Sequence, residues 1–389
     1  MTSRRIPFFD ARFDREEIEA VTRPLERGWL TMGEEVEALE EEIRRATGAG
    51  HAVAVANGTA ALHLASAGLE LGPGDEVVCP TLTFVASANA PRALGAHIRL
   101  CASVGPDDLG VDPAAIETAI TERTRAIVVV HFAGFACDME AIRAIAEPRG
   151  IPIIEDCAHA VFTRHRGRTL GLHGRVGCFS FYSNKNATCG EGGALITDDA
   201  ELAESLRRLR SHGMTVPTLD RKRGRASSYD VVVPGFNYRI DEIRAALLRV
   251  QLGRLPERLE RRRQIFRRYA AAFAGTAVQL PFSTGRHADE LPDTGVHILP
   301  VVLPAGTDRA AVVEQLKKAG IQSSVHYPAI HGFSAYRDQD VPALRATGEL
   351  SDRELSLPFY PDLSDDDVET VASELLAVLD QHAAPRPTA

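Results

Sequence analysis

His51-Ala52-Val53-Ala54-Val55-Ala56-Asn57-Gly58-Thr59-Ala60-Ala61 is the stretch on which the fold turns. A strand-length run, His51 followed by five apolar residues, is broken at Asn57-Gly58, and Thr59–Leu69 then reads as a helix. A strand that enters a helix through a small glycine turn aims backbone N–H groups and a helix dipole at one point. That point suits a phosphate. A helix cap of the same composition is common, so the turn alone does not declare a ligand.

Outward from this stretch the chain keeps alternating. Strand-like runs follow at Glu76–Cys79, His97–Cys101, Ala126–Phe132, Ile151–Glu155 and Cys178–Tyr182, with helix-like stretches near Val85–Leu94, Pro113–Ile120 and Met139–Glu147. This spacing predicts βαβ crossovers around a largely parallel α/β sheet covered on both faces. Before it, Asp14 with Glu17 forms a capping-box pattern, Gly28 stops that helix, and Glu34–Ala46 reads as a second helix ending at Gly48. After it, Asp241–Ala274 reads as a long connecting helix pair interrupted at Pro256. His297–Leu303, Arg309–Ala319, Ser323–Tyr327 and Asp365–Leu379 then suggest a small α+β domain. With 389 residues, a large domain over 1–250 and a small one over 251–389 are expected.

Composition narrows the class. A net charge of -9 gives no electrostatic footprint for nucleic acid, and no apolar run approaches the length of a membrane span. The N-terminus lacks the apolar core of a signal peptide, and the six cysteines, none in a CxxC pair, read as small buried hydrophobes of a reducing compartment. A cytoplasmic enzyme is the expectation. His326 and His331 come without a cysteine or acidic ligand set, so no metal is expected.

Lysine is scarce: only Lys185, Lys222, Lys317 and Lys318 occur. Lys317-Lys318 closes a helix and Lys222 sits in a charged run, both ordinary solvated positions. Lys185 instead stands between the apolar run Cys178–Tyr182 and the turn Gly190-Glu191-Gly192-Gly193. An amine there suits Schiff-base chemistry, because burial lowers its pKa and frees the lone pair. At the end of another strand-like run, Asp156 in Glu155-Asp156-Cys157-Ala158-His159 can hold a pyridine nitrogen protonated, or simply cap a turn. Ser180 adds a hydroxyl for phosphate. Together these supply the protein's side of pyridoxal phosphate (PLP) chemistry.

With these residues in view, the chain resembles the DegT–StrS family of PLP-dependent sugar aminotransferases. The likeness also runs through Gly72–Val77, Pro80–Ala86, Phe179–Asn186, Gly190–Ala194 and Gly235–Arg239. It implies the type I PLP-transferase fold, a mostly parallel seven-stranded sheet with a small C-terminal domain. By the same resemblance Lys185 carries the cofactor as an imine, Asp156 pairs with the ring nitrogen, Phe84 stacks on the ring and His159 lies near its hydroxyl. Gly58, Thr59 and Ser180 would bind the phosphate, and Asn237 would reach it from the partner of a homodimer. His326 and Tyr327 match the motif that approaches substrate, and Ser183-Asn184 departs from the common Pro-Thr before the lysine.

The resemblance further implies L-glutamate as donor and a nucleotide-linked keto-sugar as acceptor. Gly28-Trp29-Leu30-Thr31-Met32-Gly33 and Thr188-Cys189-Gly190-Glu191 are similar to members that aminate C4, which favours a 4-keto-6-deoxyhexose; C3 amination or a keto-cyclitol is the alternative. Trp29, Thr31 and Tyr327 are candidates for the sugar pocket, and Lys222, in the loop Val216–Val233, for the diphosphate; a solvated loop is an equal reading. Family dehydratases replace the lysine by histidine, which Lys185 argues against. The intact lysine, aspartate and phosphate cradle likewise argue against a non-catalytic regulator.

Overall fold

The alternation closes into one seven-stranded sheet. In the computed structural model, which describes residues 5–216, 224, 228–339 and 342–382, its strands are β1 (His51–Val55), β2 (Glu76–Pro80), β3 (His97–Cys101), β4 (Thr124–Val130), β5 (Ile153–Asp156), β6 (Val176–Ser180) and β7 (Gly193–Thr197). Their spatial order is β1-β7-β6-β5-β4-β2-β3. β2 pairs in parallel with β3 and β4, and β5 with β4 and β6. β7 runs antiparallel to both of its neighbours. β2, β5, β6 and β7 are buried along their whole length, as expected where helices cover both faces.

β7 was not legible as a strand, because its glycine-rich start reads as a turn. Two other runs end two residues earlier than expected. His131 and Phe132 leave β4 for a tight turn in which Ala133 takes φ 55, and Phe181-Tyr182 leave β6. Both departures fall at strand carboxyl ends, where a doubly wound sheet opens its ligand crevice.

The first helix, Arg15–Arg27, carries the expected capping box of Asp14 and Glu17 and ends at Gly28 with φ 64. The second, Glu34–Thr47, has no side-chain cap of its own. Glu242, at the start of a distant helix, supplies it: its carboxylate accepts from the N–H groups of Gly33, Glu35 and Val36 at 2.8, 3.0 and 3.1 Å. Negative charge at this helix end also opposes the dipole.

In place of the expected helix pair, one helix of 32 residues runs over Glu242–Phe273, through residue 250. Pro256 removes a single N–H donor, while Leu248, Leu252, Leu255 and Leu259 stay buried on both sides of it. Packing of that stripe outweighs one lost hydrogen bond.

Beyond this helix, β8 (Leu299–Val302) pairs antiparallel with β9 (Glu354–Leu357). Ser323–Tyr327 forms no strand, only a single bridge from Ser324 to Ser356. The helices Arg309–Lys318 and Asp365–His382 complete this part of the chain. Its apolar core also takes in Ile6, Leu82, Phe132 and Phe135, so C-terminal residues are carried against the ends of the main sheet.

Candidate active site

A cavity of about 760 Å³ opens beyond the carboxyl ends of β1, β5 and β6. Its floor is the turn Asn57-Gly58-Thr59. Asn57 caps the helix Gly58–Gly68, its side chain accepting from the Ala60 N–H at 2.8 Å and its carbonyl from Ala61 at 3.1 Å. Gly58 and Thr59 thus present the outermost N–H groups of the first turn to the cavity. Ser180, at the end of β6, lies against them: a Cβ on Gly58 would stand 2.7 Å from Ser180 Cβ and 3.0 Å from its Oγ. The glycine is needed for this approach, and the resulting cradle suits a phosphate.

Asp156, at the end of β5, forms the opposite wall. It is 5% exposed; Oδ2 accepts from Ser87 Oγ at 2.7 Å and Oδ1 from the Ala158 N–H at 3.0 Å. Burial raises its pKa, against those two hydrogen bonds and the charge of Lys185. A buried carboxylate with neutral donors is short of a cation, and a protonated ring nitrogen supplies one.

Lys185 reaches the cavity from the turn after β6. Burial lowers its amine to about 8, opposed by the Asp156 carboxylate, so a useful fraction is unprotonated near neutrality. Its Nζ lies 3.4 Å from His297 Nε2. In the sequence His297 carries little signal, being only a histidine that opens the apolar run His297–Leu303.

His159 is buried beside them, with its pKa well below the usual range through burial and the neighbouring Lys185 and His326. Its Nδ1 accepts from the Ala133 N–H at 3.3 Å, so Nε2 carries the proton that points at the Tyr327 hydroxyl, 2.9 Å away. The Tyr327 O–H is thereby left to donate elsewhere. Burial and Lys185 bring His326 down to about 4. Phe84, 55% exposed, lines the cavity with its ring 5.7 Å from the Tyr327 ring.

The fold thus gathers Gly58, Thr59, Phe84, Asp156, His159, Ser180, Lys185, His326 and Tyr327 around one cavity. Trp29, Thr31 and Asn237 are not among its lining residues, and Asn237 is exposed in its own chain. Lys222 lies outside the described residues. Beneath the site His131, Glu155 and Cys157 converge, but their polar atoms are engaged. His131 donates from Nε2 to Glu155 at 2.9 Å and accepts from the Cys137 N–H at Nδ1, and Glu155 also accepts from Gly171 and Gly174.

The profile of the DegT/DnrJ/EryC1/StrS aminotransferase family matches residues 11–376. The chain belongs to that family. It is a PLP-dependent sugar aminotransferase by membership, and the cavity fits the cofactor at three points: a phosphate cradle, a counter-charge for the ring nitrogen and a low-pKa amine.

Solved members agree in fold. The PLP form of a putative sugar aminotransferase, Spr1654 from Streptococcus pneumoniae, is 28% identical over 98% of this chain and 100% of its own, with TM-score 0.90. DesV of S. venezuelae is 36% identical over 93% of this chain and 94% of its own, with TM-score 0.84. The aminotransferase TlmJ from Streptoalloteichus hindustanus is 32% identical over 97% of this chain and 100% of its own, with TM-score 0.88. No helix among the described residues is long and apolar enough to cross a membrane.

Proposed function

We propose that this protein moves the amino group of L-glutamate to a nucleotide-linked keto-sugar, with C4 of a 4-keto-6-deoxyhexose as the favoured acceptor. The observation that carries the transamination is Lys185, a low-pKa amine set in one cavity with the Asp156 carboxylate. The C4 preference draws on Gly28–Gly33 and Thr188–Glu191 and on no distance. The six cysteines are all unpaired, which supports a reducing, cytoplasmic setting.

PLP, when bound, provides a ring into which the electrons of a broken C–H bond are drawn. Residues of the chain do the rest. Gly58, Thr59 and Ser180 would hold the phosphate, and Asp156, itself held by Ser87 and Ala158, would keep the ring nitrogen protonated. Lys185 Nζ would hold the cofactor through its aldehyde group and, as a neutral amine, would take a proton from the donor carbon and later return one. Phe84 would cover one face of the ring, and His159, through Nε2–H, would orient the Tyr327 hydroxyl for the incoming sugar.

A large domain over 1–250 and a small one over 251–389 would then be joined through the long helix Glu242–Phe273. Trp29, Thr31 and Asn237 lie off the cavity of their own chain, which supports a site completed by a second copy. In that dimer Asn237 would bond the partner's phosphate, and Lys222 would meet the diphosphate of the sugar nucleotide.

A panel of keto-sugar nucleotides with glutamate, read by product analysis, tests the substrate. C3 amination or a keto-cyclitol product would replace the favoured acceptor. Borohydride reduction and peptide mapping test the amine; a label on Lys222, Lys317 or Lys318 would remove Lys185 from its role.

A further inference from the structure

Lys185 is faced by Asp156, His159, His297, His326 and Tyr327, and among these only His297 has a ring nitrogen within hydrogen-bond reach of its amine. His297 is 4% exposed and held on every side. Its backbone N–H donates to Ala133 O at 2.8 Å, and its carbonyl accepts from Arg262 at 2.9 Å. Its ring lies 4.6 Å, centroid to centroid, from that of His159.

The proton on this ring can be placed from its neighbours. Asn186 Nδ2 points at two carbonyls, Gly295 O at 2.8 Å and Val296 O at 3.4 Å. Carbonyls only accept, so the amide is oriented and its Oδ1 is the atom facing His297 Nδ1 at 3.2 Å. Nδ1 must then carry the hydrogen. Nε2 keeps its lone pair, and that lone pair meets Lys185 Nζ. Burial together with the charge of Lys185 keeps the ring neutral, so it does not compete with the amine as a second cation.

We propose that His297 is a positioning residue that holds the Lys185 amine through Nε2, in the tautomer imposed by Asn186. One N–H of the free amine is committed to His297, so its lone pair turns to the remaining directions, where a carbonyl carbon must come. When Lys185 takes a proton from a substrate carbon, the new ammonium keeps the same acceptor, and His297 neither gains nor loses a proton. The same hydrogen bond is stronger to the ammonium than to the amine. His297 therefore moderates the fall in basicity that burial imposes, leaving Lys185 able to take a proton as well as attack.

The test uses the cofactor-free protein and competitive acylation with acetic anhydride across pH, with Lys317 and Lys318 as internal standards. Asparagine in H297N keeps an amide near Nδ1 but has no acceptor at Nε2. The midpoint for Lys185 labelling is expected to fall by about one pH unit. In the reconstituted enzyme kcat should fall by about tenfold with the KM for glutamate nearly unchanged. Glutamine in H297Q places a carbonyl oxygen near the Nε2 position and should restore most of the midpoint. An unmoved or raised midpoint in H297N would overturn the proposal.

N186A, which frees the ring to take the other tautomer, should shift the midpoint in the same direction by less. It decides the matter if H297N does not fold: no shift in N186A then sinks the idea. The proposal rests on Lys185 being the reactive amine. A borohydride label on another lysine removes that reading, whereas a label on Lys185 with an unmoved midpoint removes only the role of His297.

Discussion

Replacing Gly58 by alanine is the sharpest steric probe of the phosphate cradle. The new methyl would lie 2.7 Å from Ser180 Cβ, about 0.7 Å short of the 3.4 Å at which ordinary contact begins. Neither carbon sits at the end of a flexible side chain, so the helix start and the end of β6 must separate. Overpacking of this kind costs about 1–3 kcal/mol, and alanine in a helix returns at most about 1 kcal/mol. The cofactor-free protein should therefore melt only slightly lower, by a few degrees at most.

Cofactor binding should suffer far more. Moving the Gly58 and Thr59 N–H groups away from Ser180 removes at least one hydrogen bond to a charged phosphate, worth about 1.5–3 kcal/mol. The Kd for PLP should then rise by about ten- to a hundredfold. Titration of the cofactor-free G58A protein, followed by absorbance, measures it. Gly253 in the long helix is the control, since nothing lies within 4 Å of a Cβ there; G253A should gain up to about 1 kcal/mol and leave the titration unchanged. Wild-type PLP affinity in G58A would refute the placement of the phosphate at this turn.

Two further outcomes follow from the charges of Lys185 and Glu242. The Lys185 amine sits at about 8 in the folded protein against the ordinary 10.5, so between these values the unfolded chain binds more protons and stability rises with pH. K185M should therefore be more stable than the parent, cofactor-free, below pH 8, with the gap closing toward 10.5; a pH-independent gap in urea midpoints would contradict the buried amine. E242A leaves the Gly33, Glu35 and Val36 N–H groups without their carboxylate and should cost about 2 kcal/mol or more in denaturant unfolding, E242Q less. An unchanged midpoint in E242A would mean that water caps the helix as well as Glu242 does.

What was legible in the sequence was what is local. Six of the seven sheet strands announce themselves by apolar runs between turn residues, and the capping box at Asp14 is written within four residues. The turn at Asn57-Gly58 and the lysine after β6 also declare themselves, because their chemistry needs particular residue types at strand ends. What was hidden depends on distance along the chain. β7 reads as a glycine turn until its pairing with both β1 and β6 is seen. Pro256 reads as a break because the leucines that hold the helix through it are buried against other elements. Ser87, His297 and Glu242 carry no local mark, since each acts on a group far away in sequence.

β7 also has a consequence for the order in which the molecule can be made. β1 is an edge strand whose sheet partner is β7, so residues 51–55 wait for residues 193–197 to leave the ribosome. Closing so long a loop is slow relative to local helix formation. A nascent chain that stops short of Gly193 carries an unpaired apolar strand at its amino end and no junction between Gly58 and Ser180. The vitamin-derived group can be captured only late in synthesis, after the sheet has closed around its own beginning.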